Sequence, residues 1–391
     1  MFFISFMACL NSVLTVPERL LFHDKVTKTD LHPSPVFVLG HPRTGTTLLH
    51  SLLALDDRFA YCNTFCAGFP SCFLWFEGVG KRLFAGVMDE TRPMDNVKLD
   101  FDLPQEDELA TNVLSGGAVS PYMPLFLMKQ EAEFRPFYAF DNKRDGRSHD
   151  EKENNNDNGA RHGKDENLPD EQMSVARKQW TDAFLWLCRK LTLRATKTSP
   201  LPSNTTTPKP LLLKSPVHTA RIRLLLNLFP DAKFVYIHRH PFDVFRSAAH
   251  MADTTYWYTY LNSPTDEEIQ EFILRQYEIL WERYEEGREL LLSLPNTNSN
   301  ETNTDRLVEI SFEELTASPI ETLQNLYRRF GWEREWERGM EQTYRSELDG
   351  VKSFERNQHN ELSDELKKVV EKRWGGSFRR LGYTVTQQPG R

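Results

Sequence analysis

Short apolar runs alternate along this chain with longer segments whose apolar residues recur every three or four positions. Val36-Phe37-Val38-Leu39, Leu211-Leu212-Leu213, Phe234-Val235-Tyr236-Ile237 and Leu307–Ile310 are the runs. Unbroken apolar stretches of this length predict strands buried on both faces. After the first run, Leu48, Leu49, Leu52 and Leu53 sit at helical spacing. After the second, Ile222, Leu225, Leu226 and Phe229 form one helix face, which Pro230-Asp231 stops. Pro241 suits the first turn of a helix after the third run. Further helices are predicted near 266–292 and 319–330. The alternation predicts an α/β fold: a three-layer, P-loop-like domain with a central parallel sheet flanked by helices.

Two strand–helix junctions carry anion-binding chemistry. In the first, Gly40-His41-Pro42-Arg43-Thr44-Gly45-Thr46-Thr47 links a strand to a helix start. The free N–H groups of a first helical turn and the helix dipole both favour an anion there. The spacing Gly40-x4-Gly45 matches a Walker A loop, but Thr46 stands where an NTPase needs lysine. Arg43 supplies a cation inside the turn instead. In the second junction, Arg239 follows the strand Phe234–Ile237, and Ser247 lies eight residues later, about two helical turns on. Ligands of open parallel sheets bind at the carboxyl ends of strands, so both sites can face one crevice. Two anion sites at one sheet edge suit a nucleotide with phosphates at two places.

Composition bounds the picture. The 391 residues carry a formal charge of −8, and residues 141–175 contribute −4 of it. That stretch, residues 195–210 and residues 295–305 read as solvated or disordered inserts. No basic tract indicates nucleic acid. The five cysteines are odd in number and lack paired CxxC spacing, so neither a zinc site nor a dense disulfide framework is indicated. Residues 1–30 form an N-terminal apolar, helical segment, distinct from one domain over 31–391. Met1–Leu14 is apolar without a basic leader. It reads either as a helix packed on the domain or as a truncated anchor or weak signal through which the chain would meet a membrane. Asn204-Thr205-Thr206 and Asn300-Glu301-Thr302 are glycosylation sequons that matter only in a secretory lumen. The compartment stays open between cytoplasm and Golgi or secretory lumen.

Together the two junctions resemble those of the sulfotransferases that use 3′-phosphoadenosine 5′-phosphosulfate (PAPS). The resemblance extends to Pro104-Gln105-Glu106-Asp107-Glu108 and to the segment Ser311–Pro319. It is closer to the broad bacterial and algal-type branch than to the cytosolic drug-conjugating branch. It implies that Arg43, Thr44, Gly45, Thr46 and Thr47 bind the 5′-phosphosulfate, and that Arg239 and Ser247 bind the 3′-phosphate. It implies Lys214 beside the transferred sulfonate and Phe312 against adenine. Lys372-Arg373-Trp374-Gly375-Gly376 offers late contacts to the 3′-phosphate. The implied reaction is sulfonyl transfer from PAPS, as co-substrate, to a hydroxyl or amine of a small-molecule or carbohydrate acceptor. No metal is expected, because protein cations neutralise the leaving bisphosphate. A P-loop small-molecule kinase and a non-catalytic nucleotide-binding protein are the alternatives.

The acceptor must lose a proton, so the site needs a base. The cytosolic branch places a histidine two residues after its counterpart of Lys214, where this chain has Pro216. The candidates are therefore Glu106 and Glu108, preferred over Asp107 on side-chain reach, and His218. Pro104 followed by acidic residues also reads as an ordinary helix opening.

Overall fold

A computed structural model describes residues 2–84, 86, 100–117, 119–141, 169–198, 207–294, 305–351 and 361–384. In chain order the first half comprises α1 (Phe2–Thr27), β1 (Val36–Leu39), α2 (Thr46–Leu53), β2 (Ala60–Tyr61), α3 (Thr64–Gly68), α4 (Phe73–Phe84), α5 (Asp107–Leu114), α6 (Glu131–Phe134) and α7 (Asp170–Thr198). The second half comprises β3 (Leu211–Lys214), α8 (Ile222–Leu228), β4 (Lys233–His238), α9 (Pro241–Thr254), α10 (Asp266–Ser293), β5 (Leu307–Ser311), α11 (Phe312–Ala317), α12 (Pro319–Arg329), α13 (Glu333–Glu335), α14 (Glu341–Val351) and α15 (Asp364–Leu381).

The five strands form one parallel sheet in the order β2-β3-β1-β4-β5. In the register, Val38 of β1 lies between Lys214 of β3 and Val235 of β4. Side chains alternate across the sheet, as strand geometry requires. Phe37, Leu39, Leu211, Leu213, Phe234 and Tyr236 pack on one face with Trp180, Phe184 and Leu225. Val36, Val38, Leu212, Val235 and Ile237 pack on the other with Leu49, Leu53, Leu323 and Tyr344. Both faces are covered, which makes a three-layer α/β domain and explains why the strands read as unbroken apolar runs.

The inserts are shorter than the sequence predicts. Residues 170–175 belong to α7, and Met173 and Ala176 are buried there. The polar opening Asp170-Glu171-Gln172 hides a face that continues through Trp180, Phe184, Leu187 and Leu191. Residues 195–198 likewise close α7, with Ala195 in the core. Asp141 pairs with Arg283 at 2.7 Å, and Asp305 pairs with Arg329 at 2.5 Å. Residues 142–168, 199–206 and 295–304, and with them both sequons, lie outside the described residues.

The N-terminal segment is one helix packed on the domain. The Leu14 carbonyl accepts from Trp75 Nε1 at 3.0 Å, and Glu18 Oε2 accepts from the Leu74 amide at 2.9 Å. Glu18 also pairs with the buried Lys190 of α7; burial, outweighing that pairing, pushes the Glu18 carboxyl above its ordinary value. Among the described residues no helix is long and apolar enough to cross a membrane.

Candidate active site

The loop after β1 is shaped by backbone that most side chains avoid. Gly40 has φ 151°, and a Cβ there would lie 2.6 Å from the Ile237 carbonyl. Gly45 caps α2 in the left-handed region at φ 96°, with Phe312 where a side chain would go. Arg43 is left-handed too, at φ 74°, although it is not glycine. Such a conformation costs about 1 kcal/mol or more and persists only where the surroundings hold it. Here Arg43 Nε donates to Ser247 Oγ on α9 at 2.9 Å. Thr219 fastens the loop from the opposite side: its Oγ1 accepts from the Gly40 amide at 2.9 Å. Thr44 and Thr46 are buried within the turn.

The second junction joins the first. Arg239 NH1 reaches the Arg43 carbonyl at 3.4 Å, and its guanidinium lies 4.7 Å from the centre of the Phe312 ring. Burial lowers the arginine's pKa from its ordinary value, opposed by Asp243 and Glu313. Arg43, Arg239, Ser247, Phe312 and the start of α2 therefore adjoin one another at the carboxyl edge of the sheet. Ser247 bonds Arg43 and so links the two halves, a role that the Arg239–Ser247 spacing alone did not reveal. Arg373 pairs with Glu278 and Glu271, and Trp374 stacks on Tyr277 in the core.

The acidic run Glu106-Asp107-Glu108 divides three ways. Glu106 is the N-cap of α5, yet its carboxylate makes no cap bond. Its Oε1 accepts from Lys214 Nζ at 3.0 Å, and its Oε2 accepts from the Tyr122 hydroxyl at 2.7 Å. Lys214 is 2% exposed and also lies 3.5 Å from Thr47 Oγ1, which joins the acid to the start of α2. The Glu106 side chain is 22% exposed.

Asp107 and His218 are enclosed together, with Asp107 Oδ1 2.6 Å from His218 Nε2. Burial works against the Asp107 carboxylate, but His218 outweighs it and holds the carboxyl below its ordinary value. Glu108 is equally enclosed: its Oε2 accepts from Arg221 NH1 at 2.8 Å and from Trp180 Nε1 at 3.0 Å. The Arg221 guanidinium lies over the adjacent rings of Phe140 and Trp180. These contacts correct two expectations. Glu108 and His218 are fully buried and structurally paired, so neither reaches an acceptor. Asp107, Glu108 and His218 also form a grouping of ligand-type atoms within 4.8 Å that the cysteine spacing gave no sign of. Each already bonds a protein partner, and their contacts knit α5 to the segment after β3.

Tyr122, Ser215 and Thr219 were missed. The Tyr122 oxygen accepts from Ser215 Oγ at 2.9 Å. Ser215 and Thr219 adjoin Lys214 and His218 in sequence and were open to notice, whereas nothing marks Tyr122.

Residues 35–338 match the Sulfotransferase family. This chain belongs to that family. It is a sulfotransferase enzyme, which removes the kinase reading. Among its relatives is the omega-hydroxy-beta-dihydromenaquinone-9 sulfotransferase Stf3 of Mycobacterium tuberculosis. The two are 27% identical, with 99% of this chain and 85% of the relative aligned. The Mycobacterium bovis counterpart matches equally, at 27% identity over the same shares of both chains. The fold is shared with sulfotransferase STF1 of Mycobacterium tuberculosis H37Rv (TM-score 0.58, 16% identity, 95% of this chain and 83% of that one). It is shared too with STF9 of Mycobacterium avium (TM-score 0.54, 17% identity, 96% and 83%). These four are bacterial sulfotransferases, in line with the resemblance drawn from the two junctions.

Proposed function

We propose that this sulfotransferase moves a sulfonyl group from PAPS to the hydroxyl of an apolar small molecule, with Glu106 as the base. The observation that carries the reading is the meeting of Glu106 and Lys214 beside the phosphate loop, at 3.0 Å. In this reading the amides opening α2, with Thr46 and Thr47, hold the 5′-phosphate. Arg239 and Ser247 hold the 3′-phosphate, and Phe312 lies against adenine. The acceptor oxygen attacks sulfur, the bond from sulfur to the bridging phosphate oxygen breaks, and the acceptor proton passes to Glu106. The bisphosphate PAP leaves, its new charge met by Lys214 and Arg43.

Lys214 Nζ donates to Glu106 Oε1. The anionic phosphosulfate competes for the ammonium and so releases that oxygen to take the proton. A hydroxyl of an apolar molecule is favoured over a carbohydrate or amine for two reasons. The mycobacterial relatives are named for an omega-hydroxylated menaquinone. Trp257, Tyr258 and Leu261 are exposed on the segment after α9, which leans on the turn following Tyr122 through Leu261 N to Phe126 O at 2.8 Å.

Donor identity is tested by titrating PAP without magnesium against ATP with magnesium. PAP should bind the tighter and show no magnesium dependence. Preference for magnesium–ATP would overturn the donor assignment.

A further inference from the structure

Glu106 is held from two sides, and the two holds differ in kind. Lys214 carries a charge that the donor can draw away. Tyr122 is neutral and fixed. Its backbone is set by the Tyr122 amide donating to Ser120 Oγ at 3.1 Å and by the Leu125 amide donating to its carbonyl at 3.1 Å. Its ring packs against the cluster of Tyr138, Val217, Ala220, Ile279 and Leu280. Burial, with the Glu106 carboxylate adding to it, pushes the phenol well above its ordinary value, so the hydroxyl keeps its proton to donate. Ser215 donates to the same oxygen, which strengthens the phenol as a donor.

We infer that Tyr122 is the positioning residue of this reaction: its hydroxyl pins Glu106 Oε2 and leaves Oε1 as the atom that takes the acceptor proton. The inference rests on Glu106 being the base. A glutamate at an N-cap has two rotatable bonds before its carboxyl carbon and a helix start close at hand for its oxygens. With Lys214 gone to the donor, the bond from Tyr122 is what keeps the carboxylate turned into the crevice. Oε2 is spent on that bond, so the proton goes to the other oxygen.

The test uses the full-length protein and Tyr122→Phe, which keeps the packed ring and removes only the hydroxyl. Loss of one bond to a charged group should lower kcat by about ten- to a hundredfold. Removing a donor to the carboxylate disfavours its charged form. The acid limb of the kcat/KM profile should therefore move to higher pH. PAP affinity and melting temperature should stay near the parent's. Ser215→Ala should shift the limb the same way by less. An unmoved acid limb with kcat within about twofold overturns the inference; so does a kcat loss matched by losses of PAP affinity and melting temperature, which marks a merely structural tyrosine. Glu106→Gln separates the two levels. If it turns over normally, the base assignment itself fails. If it is inactive while Tyr122→Phe is unchanged, only the positioning role fails.

Discussion

Arg239 lies over the Phe312 ring and touches the Arg43 carbonyl, so its guanidinium bridges the loop after β1 and the start of α11. A charge-assisted bond to phosphate is worth roughly 1.5–3 kcal/mol. Arg239→Ala should weaken PAP binding by about ten- to a hundredfold while sparing adenosine 5′-phosphosulfate, which lacks the 3′-phosphate. Calorimetric titration of both ligands checks this, and equal losses would remove Arg239 from the 3′ site. The shape of the Gly40–Thr47 loop was legible because strand end, glycine spacing and helix start are all local. The acidic run was not. Each helical residue turns about 100° from the last, so three adjacent carboxylates at a helix start face three directions. Glu106 faces Lys214, Asp107 faces His218 and Glu108 faces Arg221. Side-chain reach, the only criterion available in sequence, says nothing about that rotation.

Between elements, Glu77 joins α4 to α7. Its Oε2 accepts from Arg194 Nε at 2.6 Å and its Oε1 from Asn63 Nδ2 at 3.1 Å. Burial opposes this carboxylate, yet Arg194, Lys81 and Asn63 more than offset it and bring its pKa from 4.5 to about 2. A lowered folded value stabilises above the unfolded value and is lost as pH falls. The contribution, on the order of 2–3 kcal/mol, is therefore complete above about pH 5 and lost as pH falls through about 2. Urea midpoints across that range should fall more steeply in the parent than in Glu77→Gln; parallel profiles would contradict the assignment. Most strands were readable because a strand covered on both faces must be apolar throughout. β2, only Ala60–Tyr61, is too short to carry a pattern. The opening of α7 was hidden because its first turn meets water and only Met173 turns inward.

At the scale of the molecule, the sheet brings together segments far apart in the chain. Arg43 follows β1, Glu106 opens α5, Lys214 ends β3 and Arg239 follows β4. Their convergence at the carboxyl edge of one parallel sheet was foreseeable from the order of strands and helices. The contact of Glu106 with Tyr122 was not, because it depends on how the segment between α5 and α6 folds back over the site. The account stands or falls on Glu106 taking the acceptor proton. The direct measurement is transfer of labelled sulfonate from PAPS to a hydroxyl acceptor by the parent and by Glu106→Gln, with PAP affinity measured on both. The amide keeps the shape of the carboxylate but cannot accept the proton, so kcat should fall by roughly 10²–10⁴-fold with PAP affinity unchanged. Near-normal turnover by Glu106→Gln would contradict the account.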